Sequence, residues 1–490
     1  MASRLALIIF LYSIQLVPET IAACNFTKSS TLEHQLYGRS PQSGTARPPS
    51  GIANQGEPPT ANAQPSLKGN GPRPKANGKA APFGFGSKVT GGGNAAPQTP
   101  RDINELQTWL TDKIPRVILL SKTYDFTTAA ADISAPGCAP WKPCSNGMKV
   151  PTARNASQLL APSHPVPQRL ISCCSILGDW CTRESKLPSN IKVTFNSAGI
   201  NPIKVASHKT LLGVGARGII KGKGQIRFKI SSFRFNVHIT WLNPQVVWGG
   251  DALSLWGAKN IWIDHCTFSH IGRHMLVTGG KTDADGNTGV TISNNMFSGT
   301  TQWSPGCNKW VHSHWSSKHY WNALLTGAND EITMARKLTK PQILPSCIDS
   351  TSGRSPKVGG LASSKVVLHY YNNLHTNIIG GVLSAGKGSD VLMEGNVFKN
   401  VKQQNKADLK TQEGGRSYVP FKREDSNRCT ATLGRPCAAN LLLESAQYNW
   451  GLVAQTLTTF KARSGIIQAV PVPAASIQNG VPGSCGVGHV

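Results

Sequence analysis

The sequence predicts an all-β protein that folds as a right-handed, single-stranded parallel β-helix. Glycine is abundant, at 49 of 490 residues, and charged residues make up only 15%, a mixture typical of turn-rich β proteins. Strand-like segments dominate from residue 83 onward. Within them a short pattern recurs, in which a bulky residue is followed by a small polar residue and then by a large apolar residue.

Four copies of this pattern support the β-helix prediction. They are WIDHCTF with Ile263, Cys266 and Phe268, TISNNMF with Ile292, Asn295 and Phe297, HYYNNLH with His369, Asn372 and Leu374, and LMEGNVF with Met393, Asn396 and Phe398. Repeats separated by a few tens of residues suit the coils of a stacked architecture. Asparagines at the bends are expected to stack and to share hydrogen bonds between coils. The alternative is an antiparallel sandwich or barrel with chance matches.

The N-terminal region differs in composition from the rest of the chain. An apolar run at residues 5–17 is short for a transmembrane helix, and two alanines end the segment 1–23. This segment is predicted to be a secretory signal peptide, the alternative being a poorly packed helix. Residues 24–82 contain PPSG, EPPT and NGPRPKANGKAAP. They are predicted to be a disordered, low-complexity linker or a gene-prediction error.

Residues 83–490 are predicted to form the β-helix domain, with irregular insertions near 148–176, 308–317 and 335–350. These three segments are basic and lack the repeat pattern. They are interpreted either as genuine loop insertions or as translated non-coding sequence. At the last of them the asparagine ladder is expected to break, because Lys337 stands where an asparagine is expected.

The charge and the cysteines limit the partners and the compartment. A formal net charge of +27 is compatible with nucleic acid, an anionic membrane or an acidic polysaccharide. No zinc-finger spacing or RNA-binding signature is present, so no nucleic-acid partner is expected. The 12 cysteines and the glycosylation acceptors Asn25 and Asn155 favour an oxidising compartment. The chain is therefore expected to be a secreted, extracellular monomer without membrane association after signal removal.

Four charged residues on glycine-rich loops form the candidate site. Asp251 follows paired glycines, Arg273 lies in SHIGRHM, and Arg354 and Lys357 lie in TSGRSPKVGG. Paired glycines permit tight turns, and loops on a rigid scaffold are where sites are usually built. For each residue alone the simpler interpretation is a solvated charge or an ion pair between coils. Together they predict a mostly cationic cleft with one carboxylate.

Aromatic residues are interspersed with these loops. Tryptophans often close protein cores, but exposed ones in a cleft commonly contact sugar rings. These residues, which are candidates for substrate binding, are Trp141, Trp180, Trp248, Trp310, Trp315, Tyr320 and Trp321.

Several other chemistries lack the residues that they need. A glycosidase requires two carboxylates that flank the bond, and no compact acidic pair is present on the candidate coils. The CxxC metal signature and the GxSxG nucleophile motif are absent. Calcium sites need clustered carboxylates. No metal and no cofactor are therefore expected.

Five stretches resemble fungal pectin lyases, which belong to polysaccharide lyase family 1 in the pectate lyase superfamily. They are GFGSKVTGGGNAAPQTP, VWGGDAL, WIDHCTFSHIGR, VTISNN and SGRSPKVGG. The resemblance covers about residues 83–490. It implies a secreted pectin lyase that cleaves α-1,4-linked, methyl-esterified galacturonan by β-elimination to 4,5-unsaturated oligosaccharides. The alternatives are a catalytically silent, pectin-binding β-helix and a calcium-dependent pectate lyase.

The resemblance also implies roles for the site residues. Arg354 takes the position of the base, Lys357 that of its basic neighbour and Asp251 that of the carboxylate. Arg273 fills the space that calcium uses in pectate lyases, and Trp248 and Trp321 line the cleft. Because arginine is ordinarily protonated, a base role requires cationic neighbours and a dry cleft. The same cations would stabilise the enolate-like charge that develops on the substrate. The sequence therefore does not separate a role of Arg354 as base from a role as stabiliser of this charge.

Disulfide pairings follow from the same resemblance. It implies a short bridge between Cys429 and Cys437. Two longer bridges are expected, Cys138 with Cys181 and Cys144 with Cys307. Cysteines left without an assigned partner are Cys24, Cys173, Cys174, Cys266, Cys347 and Cys485.

Overall fold

A computed structural model describes most of the region after residue 80, and every described residue belongs to one compact unit, Ala76–Val490. The described residues are 81–137, 191–223, 226–228, 231–236, 238–240, 251–279, 286–300, 318–335, 346–402, 412–447, 451–463, 471–480 and 482–488. The predicted signal peptide, residues 24–80 of the predicted linker and the predicted insertions at 148–176 and 308–317 lie outside them.

Three parallel sheets form the body of the protein. Sheet 1 contains β1 Pro97–Gln98, β2 Arg116–Leu120, β7 Lys209–Gly213, β10 Ser231–Asn236, β13 Lys259–Asp264, β16 Thr288–Ser293, β19 Asp330–Ala335, β22 Val366–Tyr371, β25 Ser389–Glu394 and β28 Arg416–Tyr418. Sheet 2 contains β3 Thr123–Asp125, β8 Ile219–Lys221, β11 His238–Thr240, β14 Thr267–Ser269, β17 Met296–Ser298, β20 Ser346–Asp349, β23 Asn373–Thr376, β26 Val397–Lys399 and β29 Leu441–Leu443. Sheet 3 contains β6 Lys204–Val205, β9 Ile226–Phe228, β12 Leu253–Leu255, β15 Leu276–Thr278, β18 Ala323–Leu325, β21 Lys357–Val358, β24 Ser384–Gly386 and β27 Gln412–Glu413.

Each coil of the chain contributes one strand to each sheet. β12 in sheet 3 is followed by β13 in sheet 1 and β14 in sheet 2, and the chain then returns to sheet 3 with β15. β12 pairs in parallel with β15, and β13 and β14 pair in parallel with β16 and β17. The predicted parallel β-helix is therefore confirmed, and the alternative of an antiparallel sandwich is wrong. Strands β4 Asp132–Gly137 and β5 Ile191–Asn196 form a separate antiparallel pair.

Short helices accompany the coils. The α-helix Ile103–Thr111 begins at Asp102, whose carboxylate accepts hydrogen bonds from the backbone N–H groups of Asn104 and Glu105. The other α-helices are Arg423–Arg428, Thr430–Leu433 and Ala454–Lys461, and the 3-10 helices are Gly84–Lys88, Ser197–Ile200, Ala474–Ser476 and Pro482–Ser484. In the part of the chain that the structure describes, no helix has the length and apolar character needed to cross a membrane.

Columns of inward-facing side chains fill the interior. In sheet 2 the register aligns Phe268, Phe297, Ile348, His375 and Phe398 on successive coils. The rings of Phe268 and Phe297 stack with centroids 5.1 Å apart, and both are fully buried. Burial of one such side chain stabilises the fold by about 1.5–3 kcal/mol. The side chains of one coil are buried by those of the coils above and below it. The stability therefore belongs to the whole stack and not to a single coil.

The asparagine ladder exists, but one of its predicted members is wrong. Asn373, not Asn372, occupies the ladder, because Tyr370 pairs with Met393 and Leu374 with Val397. The side-chain amide of Asn373 donates to Asn396 Oδ1 at 3.1 Å. The third copy of the sequence pattern was therefore misplaced by one residue. Asn372 is instead the left-handed turn residue, with φ 54°.

The predicted insertion at 335–350 is also wrong in its extent. Residues Ser346–Asp349 form β20, which pairs with β17 and β23. The hydroxyl of Ser346 accepts the N–H of Asn295 at 3.2 Å and donates to the carbonyl of Ala335. A serine thus occupies the ladder position that was expected at Lys337. The coil resumes after residues 336–345, which lie outside the described residues.

Two disulfides join described cysteines. Cys429 and Cys437 are bonded, as predicted. Cys347 and Cys485, which the sequence left without partners, form a bridge that attaches the C-terminal segment to β20. The other predicted bridges, Cys138 with Cys181 and Cys144 with Cys307, lie outside the described residues.

A buried carboxylate attaches the segment after Cys429 to sheet 1. Glu394, at the end of β25, accepts two hydrogen bonds from Arg435, at 2.9 and 2.8 Å, and one from Ala438 N at 3.0 Å. His369 Nε2 lies 2.9 Å from the same carboxylate. Burial of Glu394 opposes its ionisation, but the bonds from Arg435 and His369 outweigh burial and lower its pKa to about 2.

Replacing this carboxylate should destabilise the fold in a pH-dependent way. Glu394→Gln leaves Arg435 without its buried partner, which typically costs about 3–5 kcal/mol. Because the pKa is depressed on folding, the contribution is complete above the unfolded value of about 4.3 and is lost as pH falls towards 2. Thermal unfolding of both proteins between pH 7 and pH 2 measures this difference.

The exposed Glu424→Gln variant serves as the control and should leave the melting temperature nearly unchanged. A melting temperature of Glu394→Gln equal to that of the wild type at pH 7 contradicts the role given to this cluster.

Candidate active site

The predicted site residues lie on loops that enter adjacent strands of sheet 3. Asp251 precedes β12, Arg273 precedes β15, Trp321 precedes β18 and Arg354 precedes β21. These four strands are consecutive neighbours in parallel register. Because parallel strands begin at the same edge of a sheet, the loops stack above one another. The register therefore brings together residues that are up to 103 positions apart, from 251 to 354.

Asp251 is the central acceptor of the site. Its Oδ1 accepts from Arg273 Nε at 2.8 Å, and its Oδ2 accepts from Arg273 Nη2 at 2.6 Å. Oδ1 also accepts the backbone N–H of His274 at 3.0 Å and lies 2.9 Å from His274 Nδ1. The carboxylate is buried, while the side chain of Arg273 is about half exposed. One carboxylate therefore holds two consecutive residues of the neighbouring coil.

These bonds keep Asp251 ionised. Burial alone would raise its pKa, but the hydrogen bonds and charges of Arg273 and His274 outweigh it, so the pKa of Asp251 lies well below its ordinary value. Its carboxylate in turn raises the pKa of Arg273, against the effect of burial. The pair is thus a charged, bidentate ion pair at neutral pH.

His274 links this ion pair to Arg354, and the sequence analysis did not identify it. Its Nε2 lies 2.7 Å from Arg354 Nη1. Arginine has only donors, so Nε2 is the acceptor and the ring proton is on Nδ1, where it is donated to Asp251. Burial lowers the pKa of His274, against the opposite effect of Asp251. The position next to Arg273 in SHIGRHM was the available signal in the sequence.

Arg354 is held in a fixed conformation above an aromatic ring. Its backbone has φ 48°, and its carbonyl accepts the N–H of Ala323 at 2.8 Å. The guanidinium carbon lies 5.5 Å from the centre of the Tyr320 ring. Nη1 is bonded to His274, and Nε is buried without a hydrogen-bond partner among the residues that the structure describes. Within the same residues no hydrogen bond involves Nη2.

Lys357 is close to Arg354 in the chain but belongs to a different ion pair. It begins β21, and its Nζ donates to Glu413 Oε2 at 2.9 Å. Both side chains are partly exposed. Burial would raise the pKa of Glu413, but the bond from Lys357 and the positive charges of Lys357 and Arg354 act together to lower it. Glu413, on β27, was not identified from the sequence because it lies 56 residues from Lys357.

The aromatic residues fall into two groups. The half-buried Trp321 ring contacts His274, His319 and Tyr320 edge-on, at centroid distances of 6.3, 5.9 and 5.6 Å. Tyr320 and Trp321 therefore lie beside His274 and Arg354, and their contact with substrate stays a prediction. The other candidates for substrate binding, Trp141, Trp180, Trp248, Trp310 and Trp315, lie outside the described residues.

The donor set does not suit a divalent cation. Calcium binds best to several oxygen ligands with free lone pairs. Both oxygens of Asp251 already accept hydrogen bonds from Arg273, whose guanidinium is a fixed positive charge. Nowhere in the described ranges do three or more His, Cys, Asp or Glu side chains form a group that could hold a metal ion.

A single methyl group added beside Arg354 should disturb this arrangement. A Cβ at Gly353 would lie 2.2 Å from Tyr320 Cε2, so Gly353→Ala must displace the ring under Arg354. Because small misplacements of catalytic groups are costly, we expect kcat to fall by about 10–10²-fold, with native circular dichroism. Initial rates on methyl-esterified pectin, the substrate that the sequence resemblance implies, measure the effect.

Tyr320→Ala provides the matched control, because it removes the ring that causes the clash. The double variant should then be no slower than Tyr320→Ala alone. Additive losses of activity would show that Gly353→Ala does not act through Tyr320.

Curated proteins similar to this chain are pectin lyases. Probable pectin lyase F of Aspergillus flavus is 39% identical over 353 residues, which cover 72% of this chain and 70% of that protein. Probable pectin lyase A of Aspergillus clavatus is 36% identical over 347 residues, covering 70% and 78%. Pectin lyase B of Emericella nidulans is 34% identical over 397 residues, covering 80% and 89%.

Similar solved structures are pectate lyases. A pectate lyase bound to hexasaccharide has a TM-score of 0.42 and 13% identity, covering 83% of this chain and 97% of that one. Pectate lyase from Acidovorax avenae subsp. citrulli has a TM-score of 0.39 and 14% identity, covering 86% and 98%. No family model matches the chain. On the identity and coverage of its curated relatives, the chain belongs to the pectin lyase family.

Proposed function

We propose that this protein is a pectin lyase that cleaves methyl-esterified galacturonan by β-elimination, without a metal ion. The observation that supports the proposal is the stacked site at the edge of sheet 3, where Asp251 holds Arg273 and, through His274, Arg354. Secretion and action as a monomer belong to the same proposal.

The reaction requires a base and stabilisation of negative charge. The proton on C5 of the uronate passes to the base, and its electron pair forms the C4–C5 double bond. The C4–O bond breaks, its electron pair goes to the leaving oxygen, and that oxygen takes up a proton. Negative charge develops on the ester carbonyl as C5 loses its proton. A cation close to that carbonyl therefore lowers the barrier.

Arg354 is the residue that we assign to this charge. Its Nη1 donates to the neutral His274 ring, which leaves Nη2 for the substrate. An arginine guanidinium is a fixed positive charge, because arginine is ordinarily always protonated. Stabilisation of the developing charge is thus its primary role.

A role of Arg354 as base needs a further condition. Arg273 and Lys357, which were expected to favour a neutral guanidine, are themselves paired with Asp251 and Glu413. The remaining factor that could favour a neutral guanidine is the exclusion of water by the bound ester, because desolvation disfavours the charged form of a side chain. If Arg354 also removes the C5 proton, it can do so only where the bound ester excludes water.

The outward face of sheet 3 supports an uncharged substrate. The register aligns Ser254, Val277, Leu324 and Lys357 on this face. Val277 and Leu324 are apolar, and they lie between the polar ends of the row. Val277 is buried and Leu324 is partly exposed, and an apolar residue at the position of Leu324 suits a methyl ester better than a free carboxylate.

Activity on highly methylated pectin, with and without a chelator, tests the proposal. We expect the ultraviolet absorbance of the unsaturated product to grow at the same rate in both samples. Arg354→Ala should lower kcat by about 10²–10⁴-fold, the usual effect of losing a catalytic base or charge stabiliser. Arg423→Ala, an exposed arginine on the helix Arg423–Arg428, is the control and should behave as the wild type.

Two results would overturn the proposal. Pectin binding without product formation would identify a catalytically silent β-helix. Activity that is lost with the chelator would identify a calcium-dependent pectate lyase, for which the oxygens of Asp251 are poorly placed.

A further inference from the structure

We propose that His274 is a positioning residue that must be neutral, with its proton on Nδ1, to hold Arg354 in the active conformation. This inference rests on the proposed function. It adds a residue to the site and predicts how the site responds to acid.

The geometry around His274 determines its hydrogen-bonding pattern. The side chain is buried, with Nδ1 2.9 Å from Asp251 Oδ1 and Nε2 2.7 Å from Arg354 Nη1. Asp251 is an acceptor and Arg354 is a donor, so only the neutral ring with the proton on Nδ1 satisfies both. A ring with its proton on Nε2 would direct two donors at each other.

Protonation of His274 would change the contact with Arg354 from a bond to a repulsion. The charged ring donates at both nitrogens, so Nε2 can no longer accept from Arg354 Nη1. The charged or titratable groups that face the ring are Asp251, Arg273, Arg354 and the buried His319. Burial lowers the pKa of His319 to about 4, so His319 is neutral at pH 7 and titrates at the acid end of the range that the experiment covers.

The direction of the pH effect follows from burial. The effect of burial on the pKa of His274 is larger than the opposite effect of the Asp251 carboxylate, so the pKa lies below its ordinary value near 6.5. The neutral ring therefore persists at pH 7. As the pH falls through the lowered value, the ring becomes charged, Arg354 is released and kcat decreases. The result is an acid limb in the pH profile of kcat.

A simpler interpretation is that His274 only fills space beside Trp321, with which it makes an edge-on contact at 6.3 Å. A packing role depends on the volume of the side chain. The proposed role depends on an acceptor at the position of Nε2. The amide of glutamine can occupy the place of Nε2, whereas the shorter asparagine can occupy only that of Nδ1, so the two variants separate the interpretations.

The experiment compares His274→Gln and His274→Asn with the wild type on methyl-esterified pectin between pH 4 and pH 8. We expect kcat of His274→Asn to fall by about 10²-fold with KM little changed, since Arg354 loses its acceptor. His274→Gln should recover kcat by at least about tenfold over His274→Asn and should lack the acid limb, because an amide does not titrate. His208→Gln, an exposed histidine before β7, should keep the wild-type profile.

Equal losses of kcat in both variants, or an acid limb that persists in His274→Gln, would overturn the proposal. Circular dichroism and thermal unfolding confirm that each variant is folded. If the wild-type protein has no lyase activity, the proposed function is wrong. Which ring nitrogen of His274 carries the proton can still be measured, because that measurement does not need turnover.

Nitrogen-15 NMR of histidine-labelled protein provides that measurement, with His274→Gln to assign the signal. We expect a protonated Nδ1 and an unprotonated Nε2 at pH 7, and a shift of the Nε2 signal in Arg354→Leu. A proton on Nε2, or an Nε2 signal unaffected by Arg354→Leu, would contradict the proposed bond.

Discussion

The active site depends on the carboxylate of Asp251. It is buried, and the structure gives it four hydrogen bonds from two consecutive residues, Arg273 and His274. A buried charge is tolerated only when it is paired and fully hydrogen-bonded, so the same bonds that keep Asp251 ionised also determine where its partners lie. Through His274 this constraint extends to Arg354, 80 residues further along the chain.

The stacking of coils is what allows this arrangement. Each functional loop enters a strand of sheet 3, and the parallel register places successive loops above one another. Three sheets of hydrogen bonds, the phenylalanine stack of sheet 2 and the asparagine ladder keep these loops in register. A rigid scaffold holds catalytic groups precisely enough that small displacements matter. The cationic side chains of the site are therefore held by the fold before the substrate arrives.

The sequence predicted the β-helix and brought attention to Asp251, Arg273 and Arg354, because glycine-rich loops and repeated bulky residues are local signals. It placed one repeat a residue away from its true position, at Asn372 instead of Asn373, because two adjacent asparagines fit the pattern equally well. Ser346 was missed because it lies 11 residues after Ala335, the residue whose carbonyl it binds, and not at the spacing of the other repeats. His274, Glu413 and the Cys347–Cys485 bridge depend on contacts between distant coils, which no local pattern shows.

The most direct measurement is kcat of Asp251→Asn against that of Asp390→Asn. Asp390 makes a similar bidentate pair with Arg416, at 2.7 and 2.5 Å, so both variants remove one charge from an ion pair. If Asp251 organises the site, Asp251→Asn should lose at least about 10²-fold in kcat while remaining folded. Asp390→Asn should be less stable than the wild type but should keep its kcat. A folded Asp251→Asn enzyme with the kcat of Asp390→Asn would show that the carboxylate does not hold the catalytic arginine.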